Sequence, residues 1–517
     1  MRDRFGPRAL LPVAILASLL TRGPEAQAVP STETAVSMLG ASYINQGKPH
    51  AFYPGNASIT MHGDASFIWV DVDPIDSTQG LWWDFEFAPP AGQALHPGLY
   101  THAQRAVFRE PGHPGIDISG DGRGCNNTSG RFDVKDIAFS GGGVTRLWLT
   151  WEQNCDGSGP MFGEVRITTP APPSNLIVAP RILWPPQIEV GGSDMSIPIT
   201  YFNTTNTAVQ LASASVTGLD PQDFPIDSNS CQGVLLSPGK SCQLFVHFEP
   251  SSPGPRLATA SLKDVRGRTY ATALDGFGYG GRTRLVMHSD PGDYIGQGQD
   301  WSYDPAQATF TMGGASDRAL LSVQAIPERW QAWFETPSGQ TLAPGLYPNA
   351  QSYAYDPGVY PGIAVSGGGR GCSEYTGWFN VSHVALDPFD GTPTELALAF
   401  EQHCDGASAA LHGIVEYHNP IGDSIPTGPV TALSLMRSAR RTTVQWSNPR
   451  DADFSYVVVR YLASTYAPGS PTTGIPAYAG PGTSAVVRGI PSSVPITVAV
   501  WAVDSAGNVS PAAVTTA

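Results

Sequence analysis

Charge is scarce in this chain. Asp, Glu, Lys and Arg make up 14% of its 517 residues, against roughly 25% in an ordinary soluble domain. Basic residues are the scarcer sign: 29 Lys and Arg against 44 Asp and Glu leave a net charge of −15, the opposite of the basic face that nucleic-acid binding requires. Beyond the N-terminus no stretch reaches the ~18 apolar residues of a membrane helix. Nucleophile elbows, metalloprotease helices and phosphate loops are missing too. What is plentiful is Gly, at 57, and Pro, at 47, which excludes a coiled coil or a large helical protein. Aromatic residues at 10% are too many for a disordered chain. The mixture predicts many short strands joined by Gly/Pro turns.

Residues 1–28 have the layout of a signal peptide. Arg2, Arg4 and Arg8 precede an apolar run from Ala9 to Leu20, and Ala26-Gln27-Ala28 supplies a small-x-small cleavage pattern. Cleavage there removes four Arg, one Asp and one Glu, taking the net charge from −15 to −17. The expectation is a soluble exported protein, secreted or in the cell envelope. Its six cysteines agree, because an even count in an exported chain suggests disulfides.

The chain contains an internal duplication. Pro114 to Cys125 returns as Pro361 to Cys372 with nine of twelve positions identical. Leu95-His96-Pro97-Gly98-Leu99-Tyr100 returns as Leu342-Ala343-Pro344-Gly345-Leu346-Tyr347, and Glu152-Gln153-Asn154-Cys155-Asp156-Gly157 as Glu401-Gln402-His403-Cys404-Asp405-Gly406. The repeat pairs Cys125 with Cys155 and Cys372 with Cys404 inside each copy, leaving Cys231 and Cys242 to bridge locally. It also separates core from surface. Trp83, Phe85 and Phe87 stay apolar as Trp330, Ala332 and Phe334, whereas Trp82, Asp84 and Glu86 drift to Arg329, Gln331 and Trp333. The kept face is core and the drifting face is solvent. Period-two patterning with regular turns predicts an all-β protein of four β-sandwich-type domains in series: a β-module at 29–168, a second domain at 169–281 entered through Pro170-Ala171-Pro172-Pro173, the repeated module at 282–420, and a last domain at 421–517.

The second and fourth domains resemble known families. Phe224-Pro225-Ile226, Cys231, the run from Leu236 to Pro250 and Leu274-Asp275-Gly276-Phe277-Gly278 resemble the immunoglobulin-like domain of Hydin, CFA65 and ASPM proteins over most of 176–281. That implies a seven-stranded sandwich serving as spacer or binding module. The family's eukaryotic members are ciliary or centrosomal, a location the signal-peptide layout argues against. Val444-Gln445-Trp446 and the segment Val498 to Pro511 resemble a fibronectin type III domain, with Ile496 where that family usually has a corner Tyr. The duplicated module resembles an uncharacterised module of exported bacterial proteins, marked by Asp290-Pro291-Gly292-Asp293-Tyr294-Ile295-Gly296 and the Gly-Arg-Gly-Cys and Glu-Gln-x-Cys-Asp-Gly blocks.

The candidate site is the duplicated polar set: Arg123, Glu152, Gln153 and Asp156, matched by Arg370, Glu401, Gln402 and Asp405. A disulfide gathers each set, either as a ligand site or as an Arg–Glu pair bracing the bridge. Trp82 and Trp333, each without an aromatic partner in the other copy, are candidates for a sugar-stacking platform, alongside Trp69 and Trp148. Asp117 and Asp121, and separately Asp71, Asp73 and Asp76, suggest calcium; the second copy replaces Asp117 and Asp121 by Ala364 and Gly368, and no cofactor is otherwise expected. His383, His403, His412 and His418 are zinc-type residues without metal-binding spacing. The function expected is a non-catalytic, secreted or cell-surface adhesion protein that binds glycan or extracellular protein through the duplicated modules. The alternatives are a glycan-active hydrolase, for which paired carboxylates would serve, and a structural envelope or matrix component.

Overall fold

A computed structural model describes residues 32–517 except 157–158, 171–174, 194, 306, 327, 353–357, 388–389, 421–425 and 452. The signal-peptide layout and most of the Pro-rich entry to the second domain lie outside these residues. The protein is all-β, with four β-sandwich-type domains in series along the chain. Among the described residues the helical content is two single 3₁₀ turns, and no helix is long and apolar enough to cross a membrane.

The first module has ten strands: β1 (Thr32–Gly40), β2 (His50–Phe52), β3 (Ala57–Asp64), β4 (Phe67–Pro74), β5 (Trp83–Ala88), β6 (Gly98–Arg105), β7 (Gly115–Gly120), β8 (Thr128–Ser140), β9 (Gly143–Cys155) and β10 (Met161–Pro170). They form one continuous sheet, in the order β2-β1-β10-β9-β8-β6-β7-β5-β4-β3. The sheet folds over on itself, so both layers of the sandwich come from it. Phe85 of β5 meets Trp151 of β9 edge-on at 5.8 Å, and Phe87 meets Phe132 of β8 at 5.4 Å. Bulges at Tyr100/Ala103 and Val134/Asp136 supply bends, as an extra residue in one strand does. The second module repeats the strand order between Gly281 and Pro420. Even the rare parallel pair is kept: Gln104 faces Gly115 in one copy and Gln351 faces Gly362 in the other.

The duplicated glycine before the Gly-Arg-Gly-Cys block has a steric reason. A Cβ on Gly120 would lie 2.2 Å from the Trp83 ring, and one on Gly367 2.3 Å from Trp330. Both tryptophans are fully buried and rest flat on a strand that only Gly can provide. All three disulfides are present: Cys125–Cys155, Cys231–Cys242 and Cys372–Cys404.

The second domain packs a sheet containing Ile197–Phe202 and Ser241–Val246 against one containing Gly254–Asp264 and Thr269–Tyr279. Phe224 and Phe248 stack at 4.9 Å inside it, and buried Arg256 pairs with Asp220 and Asp223. The fourth domain packs a three-stranded on a four-stranded sheet, with Trp446 in its core and Ile496 fully buried.

The four domains do not lie in a row. The fourth folds back onto the second, where Arg460 meets Asp275 at 2.8 and 3.0 Å and Leu257, Val458 and Val503 share a small core. It also reaches the first module: the Gly474 amide donates to Asp133 at 2.7 Å, and Tyr466 stacks on His96 at 3.7 Å.

Candidate functional site

Strand alternation divides the duplicated polar set. Gln153 points inward from β9, fully buried. Its amide accepts from the Ile118 N–H at 2.7 Å and donates to the Ile118 carbonyl at 3.0 Å. Gln402 holds Val365 in the same way at 2.6 and 2.9 Å. The amide thereby satisfies both main-chain groups of a residue on β7 or its counterpart. Asp156 accepts from the Asn126 and Asn127 amides, both at 2.8 Å, which hold its carboxyl below the usual range; Asp405 accepts from Glu374 at 2.8 Å. These aspartates tie down the loop of the first cysteine.

The arginines do not form the expected pair with Glu152 and Glu401. Arg123 donates to the Ile44 carbonyl at 2.7 Å and pairs with Asp121 at 3.2 Å. Arg370 donates to the Ile295 carbonyl at 2.8 Å and takes Glu328 with both outer nitrogens. Each guanidinium lies 5.9 Å over the core tryptophan. The arginines turn away because Glu152 and Glu401 stand on the opposite, outward face of the strand.

That outward face is used differently in the two copies. In the first, Glu152 pairs with Arg131 at 2.8 Å, whose guanidinium lies 4.0 Å over Trp184 of the second domain. Leu39 and Phe162 on the same face join the second domain's core, and Glu164 accepts from the Arg181 amide at 2.8 Å. In the second copy the matching row is Asp300, His288, His412, Glu401 and Trp378, paired strand to strand, and it is open. Beside it Ile414 and Leu346 are 43% and 62% exposed. Glu401 pairs with His403 at 3.2 Å and His412 at 3.5 Å. The other two second-copy histidines are elsewhere: His383 pairs with Glu395 and His418 stacks on Tyr279 at 3.9 Å, where burial lowers its pKa to about 4.

The drifting face of the first module collects carboxylates. Across β4, β5 and β7, Asp71 faces Asp84 and Glu86 faces Asp117, with Asp73 one pleat along. Burial and the neighbouring acids raise Asp84 to about 6 and Glu86 to about 7. Asp117 is raised by burial, with Arg105 opposing at 2.9 Å. Trp82 and Trp69 flank the acids, 37% and 40% exposed. By strand register the second copy has Leu320, Ser322, Gln331, Trp333 and Ala364 at the positions of Trp69, Asp71, Asp84, Glu86 and Asp117. Its Trp333 is half-buried and bonds Glu335 at 3.2 Å, while Trp148 donates to Glu164 at 2.8 Å. The calcium-type residues separate accordingly: Asp117 pairs with Arg105, Asp121 accepts from the Leu81 amide at 3.1 Å, and Asp76 caps the 3₁₀ turn at 77–79. The sequence signal for this face was an acid in one copy opposite a neutral residue in the other.

Between the first module, the second domain and the second module lies a cleft of about 840 Å³. Glu152, Glu189, Tyr279 and His418 line it, and burial raises Glu189 to about 7.

No family model matches the chain, and no curated protein matches it. Among solved structures it overlaps the secreted serine protease VesC from Vibrio cholerae over 77% of this chain and 99% of that one, at 11% identity and TM-score 0.19. It overlaps the chicken CNTN1 FN1–FN3 domains over 67% and 99%, at 9% identity and TM-score 0.18, and titin domains A168–A170 over 64% and 94%, at 9% and 0.16. Overlaps this shallow carry no argument about function, which rests on the chain's own residues.

Proposed function

We propose that this is an exported, non-catalytic binding protein of the cell surface or its surroundings, and that the acid-and-tryptophan face of the first module recognises glycan. Three disulfides and the signal-peptide layout support export. The observation that carries the binding reading is the asymmetry of the duplication: Asp71, Asp84, Glu86 and Asp117, flanked by exposed Trp69 and Trp82, on a face where the second copy has no carboxylate at those positions. Burial, and after it the neighbouring acids, raise Asp84 and Glu86, an arrangement that opposes folding, so the accumulation of carboxylates on one copy points to use. Tryptophan faces stack on sugar rings and carboxylates accept from their hydroxyls. The second and fourth domains, read as Hydin-type and fibronectin III-type, would hold and present this face. The module boundaries proposed from the sequence, at 168, 281 and 420, would place it entirely within the first unit.

The full chain on a glycan array tests this. Binding to a glycan class that Trp69→Ala and Trp82→Ala each weaken at least about tenfold, with unchanged melting, is the expected result. Absence of glycan binding, or binding indifferent to both substitutions, overturns it. Release of reducing sugar abolished by Glu86→Gln would instead establish a hydrolase.

A protein partner is the second reading, favoured by the open face of the second module. Its first-copy counterpart already holds a folded domain, and here Ile414 and Leu346 stay exposed beside a polar row. An adhesion partner would lose affinity on Ile414→Asp, a change that leaves glycan binding intact.

A further inference from the structure

The two copies also meet each other directly, and the residues at that junction have no part in the reading above. His102 sits on β6 at the Tyr100/Ala103 bulge. Its Nε2 lies 3.2 Å from Asp387 Oδ2 and 3.6 Å from Asp390 Oδ2 of the second module. The three ligand atoms lie within 4.8 Å of one another. The opposite atoms are occupied locally, which sets the direction of the others. His102 Nδ1 is 3.0 Å from Thr101 Oγ1, Asp390 Oδ1 accepts from the Thr392 amide at 2.8 Å, and Asp387 Oδ1 faces the Asp390 amide at 3.4 Å.

We propose that His102, Asp387 and Asp390 form a divalent-metal site of the zinc class that clips the two duplicated modules together. An ion bound tetrahedrally at 2.0–2.2 Å holds its ligand atoms about 3.3–3.6 Å apart, close to the 3.2 and 3.6 Å from His102 to the two carboxylates. One imidazole nitrogen with two carboxylate oxygens is a borderline donor set, suited to zinc or manganese with water completing the shell. The side chains are 21–27% exposed, open enough for entry and screened enough to strengthen a charge interaction. The duplication isolates the ligands. At the position of His102 the second copy has Asn349, in the same left-handed conformation, φ 55° against 56°. At the turn that carries Asp387 and Asp390 the first copy has Ser140-Gly141-Gly142-Gly143. The acids and the imidazole occur only on the two surfaces that touch.

The test uses the chelator-treated full chain, titrated with Zn²⁺ by calorimetry, with metal content counted after gel filtration. One equivalent bound, weakened at least about tenfold in both His102→Asn and Asp390→Asn while metal-free melting stays unchanged, is the expected result. His102→Asn installs the residue the second copy uses at this backbone position, and Asp390 lies on a turn, so both variants retain the fold. Absence of stoichiometric Zn²⁺ binding overturns the proposal, reducing the contact to a histidine–carboxylate ion pair. Equal binding by the variants also overturns it and assigns the metal to the His288, His403 and His412 region. Co²⁺ gives a second readout: a visible absorption band on loading, absent from both variants.

Discussion

Gln402 shows how unequal neighbouring residues of a repeat can be. Its amide accepts from the Val365 N–H and donates to the Val365 carbonyl, so truncation takes a partner from each of two buried main-chain groups, each loss costing roughly 1–3 kcal/mol. Gln402→Ala is expected to destabilise the second module by about 3 kcal/mol and lower its melting transition by about 6–12 °C. Glu401→Ala, one residue away on the open face, should change stability by no more than about 0.5 kcal/mol. Scanning calorimetry of both variants decides; equal losses would contradict the division. The sequence made these residues legible as a duplicated set, but spacing from a cysteine groups them whatever their direction. Period two already separates Glu401 from Gln402. That Arg123 reaches back 79 residues to Ile44 was not legible, since no local pattern encodes a partner so distant.

At the scale of the strand, the acids on β4, β5 and β7 make stability depend on pH. A carboxyl raised from 4.5 to about 7, as Glu86 is, keeps its proton in the folded state while the unfolded chain has already lost it. Stability is therefore fully present below about pH 4.5 and declines as pH rises toward 7. Glu86→Gln should raise the melting temperature at pH 8 by roughly 2–4 °C, the effect of about 1 kcal/mol in a domain this size after solvent screening of a half-buried group, and leave it unchanged at pH 4. Equal effects at both values would remove the pH argument. The strands themselves were legible because the core face is conserved between copies: Trp83, Phe85 and Phe87 are all buried. The use of the outer face was legible only by subtraction, comparing what one copy has gained over the other.

The whole molecule is held together by contacts between residues far apart in the chain. Buried Arg460 and Asp275 join the fourth domain to the second, and removing one partner strands the other's charge at a cost of about 3–5 kcal/mol. Arg460→Ala should release the fourth domain, seen as a larger radius of gyration in X-ray scattering, whereas Arg460→Met with Asp275→Leu should largely restore docking. A single variant with unchanged scattering would show that the small core of Leu257, Val458 and Val503 suffices. One clue to this assembly did lie in the sequence: Leu39 and Phe162 are apolar at outward positions where the other copy has His288 and His412, the mark of a covered surface.

The Asp133–Gly474 contact also sets a schedule. Asp133 and Lys135 are fully buried, and their cover includes a residue synthesised 341 positions later. A first module that folds during synthesis, at about 5–20 residues per second, would wait roughly 20–70 s with that surface bare. A greasy patch left open so long would invite aggregation, whereas a paired aspartate and lysine keep the waiting module hydrated until the C-terminal domain arrives to close over them.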